Sequence, residues 1–327
     1  MRVLLKFLLV LALALGGWAF WWVNHSLPLA APTLDLSVEP GTTPRSVAQA
    51  TVDSGVRTSA DLLYWWFRLS GQARLIKAGS YELETGLTPY GLLTKLTRGE
   101  EALRSVTLVE GWTFRQVRAA LLKEEHLKPD SKGLEDPVIM EKLGQPGRHP
   151  EGRFYPDTYT YAKGSSDLKL LLRAMHAMDK QLLKAWQVRA ADTPLKSPDE
   201  LLILASIVEK ETGQASDRPM IASVFSNRLR LGMMLQTDPT VIYGLGERFD
   251  GNLRRRDLLA DTPWNTYTRT GLPPTPIAMP GKASLMATAQ PASSRALYFV
   301  ARGDGKSQFS DSLDAHNRAV NKYQRGQ

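Results

Sequence analysis

Apolar residues crowd the first two dozen positions of the chain and then thin out into short periodic runs. From Phe7 to Val23 the sequence reads FLLVLALALGGWAFWWV, seventeen uncharged and almost wholly apolar residues. That is about the shortest run that crosses a bilayer as a helix. Arg2 and Lys6 precede it and Trp18, Trp21 and Trp22 close it. The N-terminal end is therefore expected in the cytoplasm and everything after the run outside the inner membrane. A cleaved signal peptide is the alternative. Bulky tryptophans stand where small residues should precede a cleavage site, and only the stretch around Ala30-Ala31 resembles one, which favours a retained anchor.

After a proline-containing linker over residues 24–34, apolar positions fall into strand-like and helical periods. Leu34-Asp35-Leu36-Ser37-Val38 alternates as a strand does and runs into the turn Glu39-Pro40-Gly41-Thr42. Residues 46–54 and 59–70 have helical spacing, 77–83 is a second strand, and 88–97 is a helix ending before Gly99. A small α+β module follows from this order. A third strand is expected at 106–109 and a helix at 113–123. Residues 129–150, with four prolines and three glycines, predict a loop.

Helical periodicity then dominates. Leu168, Leu171, Leu172, Met175, Met178, Leu182 and Leu183 form one stripe of a long amphipathic helix over 166–189. A second helix starts at Ser197, a suitable N-cap, carries Pro198 in its first turn and runs to Thr212. A third covers 218–231 and ends at Gly232. From there to about Gly281 the chain is dense in Gly, Pro, Thr and Asn but keeps too many aromatic and apolar residues to be disordered, which predicts a long irregular loop region. A helix at 284–290, a strand at 296–301, a hairpin turn at Gly303-Asp304-Gly305-Lys306 and a helix at 312–323 close the chain. The fold class expected is α+β, with an N-terminal transmembrane helix, a small α+β module and a larger mixed domain.

At 327 residues the chain is long enough for more than one core. Composition narrows the chemistry. Lys+Arg exceed Asp+Glu by 41 − 33 = 8, which suits an anionic surface or polymer. Nucleic acid is not expected, since there is no zinc-finger spacing, aromatic RNA-binding signature or basic heptad region. The absence of cysteine removes disulfides and thiol nucleophiles. The five histidines, at 25, 126, 149, 176 and 316, lack metal-ligand spacing, no serine sits in a GxSxG elbow, and no phosphate loop is present. No metal and no cofactor is expected.

Carboxylates remain. The helix ending Ile207-Val208-Glu209-Lys210-Glu211-Thr212 is apolar nearly all round before it delivers two glutamates. At 100° per residue Glu211 continues the stripe of Leu204, Ile207 and Val208, whereas Glu209 lies over Ala205 and Ser206. A carboxyl at the end of such a stripe loses hydration, and its pKa rises toward the range of a general acid. The pattern alone leaves open that these residues merely mark the solvated end of a helix.

Several segments together give the chain a resemblance. Ala205-Ser206-Ile207-Val208-Glu209-Lys210-Glu211-Thr212, Ala222-Ser223-Val224-Phe225-Ser226-Asn227-Arg228-Leu229, Leu235-Gln236-Thr237-Asp238-Pro239-Thr240 and Tyr267-Thr268-Arg269-Thr270-Gly271-Leu272-Pro273-Pro274 resemble the endolytic murein transglycosylase family, also called MltG or YceG-like. Val109-Glu110-Gly111, Glu151-Gly152-Arg153-Phe154-Tyr155-Pro156-Asp157, Tyr298-Phe299-Val300-Ala301 and His316-Asn317 extend the likeness over nearly the whole chain. Thr275 departs from it, standing where the family commonly has glycine.

The resemblance implies a single-pass protein of the inner membrane with its catalytic domain in the periplasm. It divides the chain into a cytoplasmic N-terminus (1–6), an anchor (7–23), a linker (24–34), a LysM-like module (35–105) and a catalytic transglycosylase domain (106–327). It implies endolytic cleavage of the MurNAc–GlcNAc bond within nascent glycan strands, leaving 1,6-anhydro-MurNAc ends and terminating strand elongation. It places the essential carboxylate on Glu211, with Glu209 as the fallback. Gln236, Asp238, Asn265 and Tyr267 are the expected sugar-lining residues, although each could instead hold the loop together. The implied partners are peptidoglycan glycan strands, the inner membrane, and penicillin-binding proteins with other wall-synthesis proteins. The competing reading is a non-catalytic, glycan-binding envelope scaffold that recruits wall-synthesis proteins.

Overall fold

A computed structural model of the protein describes residues 2–326. The chain opens on helix α1 (Arg2–Asn24), whose Val3–Asn24 stretch has a mean hydropathy of 2.2 and no buried residues in its most apolar window. At 1.5 Å per residue such a helix is long enough for a hydrocarbon layer about 30 Å thick.

The chain divides into two compact units, one running to Arg104 and taking in Thr160–Ser165, the other comprising Ser105–Tyr159 and the residues from Ser166 onward. In the first unit the order is β1 (Thr33–Val38), α2 (Pro44–Asp53), α3 (Ala60–Leu69), β2 (Gly79–Glu84) and α4 (Pro89–Arg98). The strands pair antiparallel with Leu36 opposite Tyr81. Alternation turns Leu36 and Val38 inward, onto a core that includes Val47, Leu63, Phe67, Leu83 and Leu92. Thr43, Ser59 and Thr88 cap the three helices by accepting the N–H of Ser46, Leu62 and Gly91.

The second unit contains α5 (Phe114–Lys123), α6 (Asp136–Lys142), α7 (Asp167–Gln187), α8 (Pro198–Glu211), α9 (Arg218–Arg230), α10 (Asp238–Leu245), α11 (Arg255–Leu259) and α12 (Lys282–Ala289). It ends with the hairpin β5 (Tyr298–Ala301) and β6 (Ser307–Ser310), then α13 (Leu313–Val320) and a π-helical turn at Asn321–Arg325. Strands β3 (Leu103–Thr107) and β4 (Thr158–Ala162) pair with each other, and the boundary between the units falls within both. Helix α8 is the centre of this unit. Leu201, Leu202, Leu204, Ala205, Ile207 and Val208 are all fully buried, among side chains from α7, α9 and α12. A leucine buried in this way contributes roughly 1.5–3 kcal/mol.

The periodic elements stand where the sequence pattern puts them, within a few residues. The loop expected at 129–150 instead holds α6, and the irregular region from Gly232 to Gly281 holds α10 and α11. For α6 and α10 the cause is the same. Pro137 and Pro239 sit in the first turn of α6 and α10, where the missing N–H has no helical partner to lose, so proline begins a helix there rather than breaking one. Strand β4 is also absent from the sequence reading, and the third strand lies at Leu103–Thr107 rather than 106–109. The closing helix stops at Val320 and changes to the π-helical turn before Tyr323.

Candidate active site

Helix α8 ends by presenting its two glutamates to different partners. Glu209 accepts the backbone N–H of Gly281 at 2.9 Å and so ties the 279–281 segment to the helix. That segment also exchanges backbone bonds with the loop before α5, Gly111 N to Met279 O at 2.8 Å and Met279 N to Trp112 O at 2.7 Å. Glu110 of this loop, partly desolvated and close to the Glu209 charge, has its pKa raised.

Glu211 faces the other way. The Thr237 hydroxyl donates to its Oε1. Burial raises the Glu211 pKa, the Thr237 hydrogen bond opposes the rise, and the nearby Asp238 charge adds to it. A carboxyl whose pKa is raised by burial, held by a hydroxyl at the end of a helix, has the environment of a general acid.

The loop supplying Thr237 is built to fix that hydroxyl. Thr237 is buried, and its N–H donates to Thr266 Oγ1 at 3.1 Å. Thr240 Oγ1 donates to Thr237 O at 2.7 Å and shares a hydrogen bond of 2.9 Å with Thr266. Next to it Gln236 holds φ +49°, the sole non-glycine with positive φ among the described residues. Left-handed backbone of this kind costs a glutamine on the order of 1–2 kcal/mol and persists where the surroundings impose it. Here they do. The Gln236 N–H donates to Thr266 O at 3.1 Å, and Arg228, only 8% exposed, donates to the carbonyls of Met234 at 3.2 Å and Leu235 at 2.9 Å just before it.

Of the four residues expected to line the sugar groove, three gather at Glu211. Gln236 and Asp238 are exposed and flank Thr237, and the Tyr267 hydroxyl donates to Asp238 Oδ1 at 2.5 Å. Asn265 does a different job. It is fully buried, donates to the carbonyls of Leu258 at 3.0 Å and Ala260 at 2.7 Å, and accepts the Tyr267 N–H at 2.8 Å. Its side chain is consumed in tying the loop to the end of α11, which leaves it no free group to offer a sugar.

Thr237, Arg228 and Glu151 were not singled out from the sequence. All three lie inside segments that carry the family likeness, which is the signal the sequence offers. Glu151 is 3% exposed, and both its carboxylate oxygens face the N–H of Phe114, at 3.0 and 3.2 Å, at the start of α5. Tyr243 of α10 adds a side-chain hydrogen bond. Burial pushes the Glu151 pKa up to about 7 against these favourable bonds.

A testable pH dependence follows. With a folded pKa of about 7 against an ordinary 4.5, the folded state holds the Glu151 proton more tightly than the unfolded chain. The associated stability is fully present below pH 4.5 and is lost as pH rises through 7, by on the order of 3 kcal/mol. Glu151→Gln keeps an acceptor for Phe114 N and cannot ionise. Thermal melts from pH 4.5 to 8 should therefore show a smaller decline for the variant, and identical slopes for both proteins would refute the assignment.

A partly buried acid, a hydroxyl that donates to it and a polar, aromatic loop beside it make up the candidate site. Comparison with known proteins places the chain. The model of the YceG-like family matches residues 36–322, and the chain belongs to that family. An endolytic murein transglycosylase of Bacillus subtilis is 31% identical over 308 residues, covering 89% of this chain and 85% of that protein. An endolytic murein transglycosylase of Streptococcus pneumoniae is 26% identical and matches 97% of this chain, which spans 64% of the pneumococcal protein's length. A 2.6 Å crystal structure of a yceG-like protein from Listeria monocytogenes superposes with a TM-score of 0.55 at 30% identity, covering 88% of this chain and 98% of that one.

Proposed function

We propose that this protein is a peptidoglycan lytic transglycosylase in which Glu211 acts first as general acid and then as general base. The observation that carries the reading is the partly buried Glu211, with a raised pKa, held by Thr237 beside the exposed Gln236 and Asp238. The names of the Bacillus and Streptococcus relatives supply the substrate class.

In the proposed reaction the Glu211 carboxyl gives its proton to the glycosidic oxygen as the bond from MurNAc C1 to that oxygen breaks. The C6 hydroxyl of the same MurNAc forms the new bond to C1, and its proton passes to the Glu211 carboxylate. The products are a strand with a free hydroxyl end and a strand ending in 1,6-anhydro-MurNAc, with no water consumed. An intramolecular nucleophile already held near C1 gains effective concentration, so a second carboxylate to position water is unnecessary.

Around this chemistry, α1 would anchor the protein in the inner membrane with both units in the periplasm. Residues 35–105 would serve as a LysM-like glycan-holding module, a reading supported by the order strand, helix, helix, strand from β1 to β2. Residues 106–327 would cut within nascent strands and so end their elongation, beside penicillin-binding proteins and other wall-synthesis proteins. A mature N-terminus near residue 31 in the purified protein would refute the anchor.

The function is tested with the full chain in detergent and purified uncross-linked glycan strands, read by mass spectrometry. Internal cuts bearing anhydro ends are expected. Reducing ends would mean hydrolysis, and intact strands would favour the non-catalytic scaffold.

A further inference from the structure

A cleft in the second unit opens between α5 and α10. Its volume is about 760 Å³, within the range of roughly 300–1,000 Å³ in which proteins hold small ligands. The first turn of α5 lines it, and so do Tyr243 of α10, Phe249 and Trp264. Glu151 also borders it, bonded to Phe114 N and to Tyr243, so one buried carboxyl joins α5 to α10. The cleft reaches Lys210 and Pro239, the chain neighbours of Glu211 and Asp238. The acid itself is not part of the lining.

The lining decides the kind of ligand. The N-terminus of α5, which would otherwise attract an anion, already binds the Glu151 carboxyl and the Thr113 cap. Glu151 and Asp136 stand in the same lining as Arg115 and Lys210, so the cleft has no strong charge preference. Tyr243 and Trp264 meet edge to face, with centroids 5.5 Å apart, and Phe249 adds a third ring. Aromatic surface interspersed with neutral and paired polar groups suits the apolar face and the hydroxyls of a pyranose ring.

We infer that this cleft is a subsite for the N-acetylhexosamine units adjoining the bond that Glu211 cuts, with Phe249 as an aromatic contact. The inference rests on the transglycosylase reading and goes beyond it in placing the glycan along the α5–α10 cleft.

The test uses the full chain in detergent carrying Glu211→Gln, so that ligand stays intact, and chitotetraose as the probe. Binding is followed by calorimetry. Phe249→Ala should weaken it about tenfold, the loss expected when one ring contact worth roughly 1.4 kcal/mol is removed. Phe249→Tyr should restore it. With Glu211 in place, Phe249→Ala should raise KM by a similar factor and leave kcat unchanged. Should Phe249→Ala melt early, Phe249→Leu keeps the apolar bulk, loses the flat ring, and carries the same expectation. Unaltered affinity in the well-folded variants, or no chitotetraose binding by the Glu211→Gln protein, overturns the subsite even if the wild type cuts strands. A wild type that leaves strands intact overturns the transglycosylase reading itself.

Discussion

Glu211→Gln is expected to abolish anhydro-product formation while the protein stays folded. Glutamine keeps the length of the side chain and an oxygen to accept the Thr237 hydroxyl, so the loop from Gln236 to Thr240 has no reason to move. What it lacks is the proton for the glycosidic oxygen and the basicity to take one from the C6 hydroxyl. General acid–base help is typically worth about 10²–10⁴-fold, and here one residue serves both halves of the reaction. Glu209→Gln should cost far less, because Glu209 is occupied with Gly281 N and glutamine can accept the same bond. Anhydro ends counted for both variants at matched thermal stability decide the matter. An active Glu211→Gln beside a dead Glu209→Gln would move the acid to Glu209, and two fully active variants would end the single-glutamate mechanism.

The comparison of these two glutamates shows how far the sequence could be read. The helical wheel separates them by direction, and the structure sends them in different directions. Yet the stripe under Glu209, Ala205 and Ser206, is buried as completely as the stripe under Glu211. Burial of the residues beneath is therefore no guide to which partner each carboxyl meets. What distinguishes them is a partner 72 residues away for Glu209 and one 26 residues away for Glu211, and neither leaves a local periodic signal. Glu151 is illegible for the same reason, since its environment is assembled from Phe114 and Tyr243. Amphipathic α7 and the alternating β1 were legible because one face of each meets the core and the other meets water. Helix α10 was not. It is short, carries a proline in its first turn, and buries only Thr240 and Val241.

Gly152→Ala should be the most destabilising of the small substitutions in the second unit, and the reason lies one residue beyond Glu151. Gly152 is buried at φ +77°, and a Cβ built there would stand 2.5 Å from Pro276 Cβ and 2.7 Å from Pro276 Cγ. Two costs add. The left-handed backbone penalises any side chain by about 1–2 kcal/mol. Overpacking against a rigid, buried proline ring adds roughly 1–3 kcal/mol, because the ring has no alternative rotamer to adopt. Gly144 provides the control, with φ +75° and nothing within 4 Å of its virtual Cβ, so Gly144→Ala carries the backbone cost alone. Thermal melts should show Gly152→Ala falling by about 5–15 °C and Gly144→Ala by a few degrees. Because Pro276 precedes Ile277, whose N–H donates to Ser206 of α8 at 3.0 Å, the displaced loop also pulls on the helix that carries Glu211. Activity at a temperature where the variant remains folded should therefore fall too. Equal melting shifts for the two alanine variants would show that the 276–278 loop yields freely and that only the backbone term operates at Gly152.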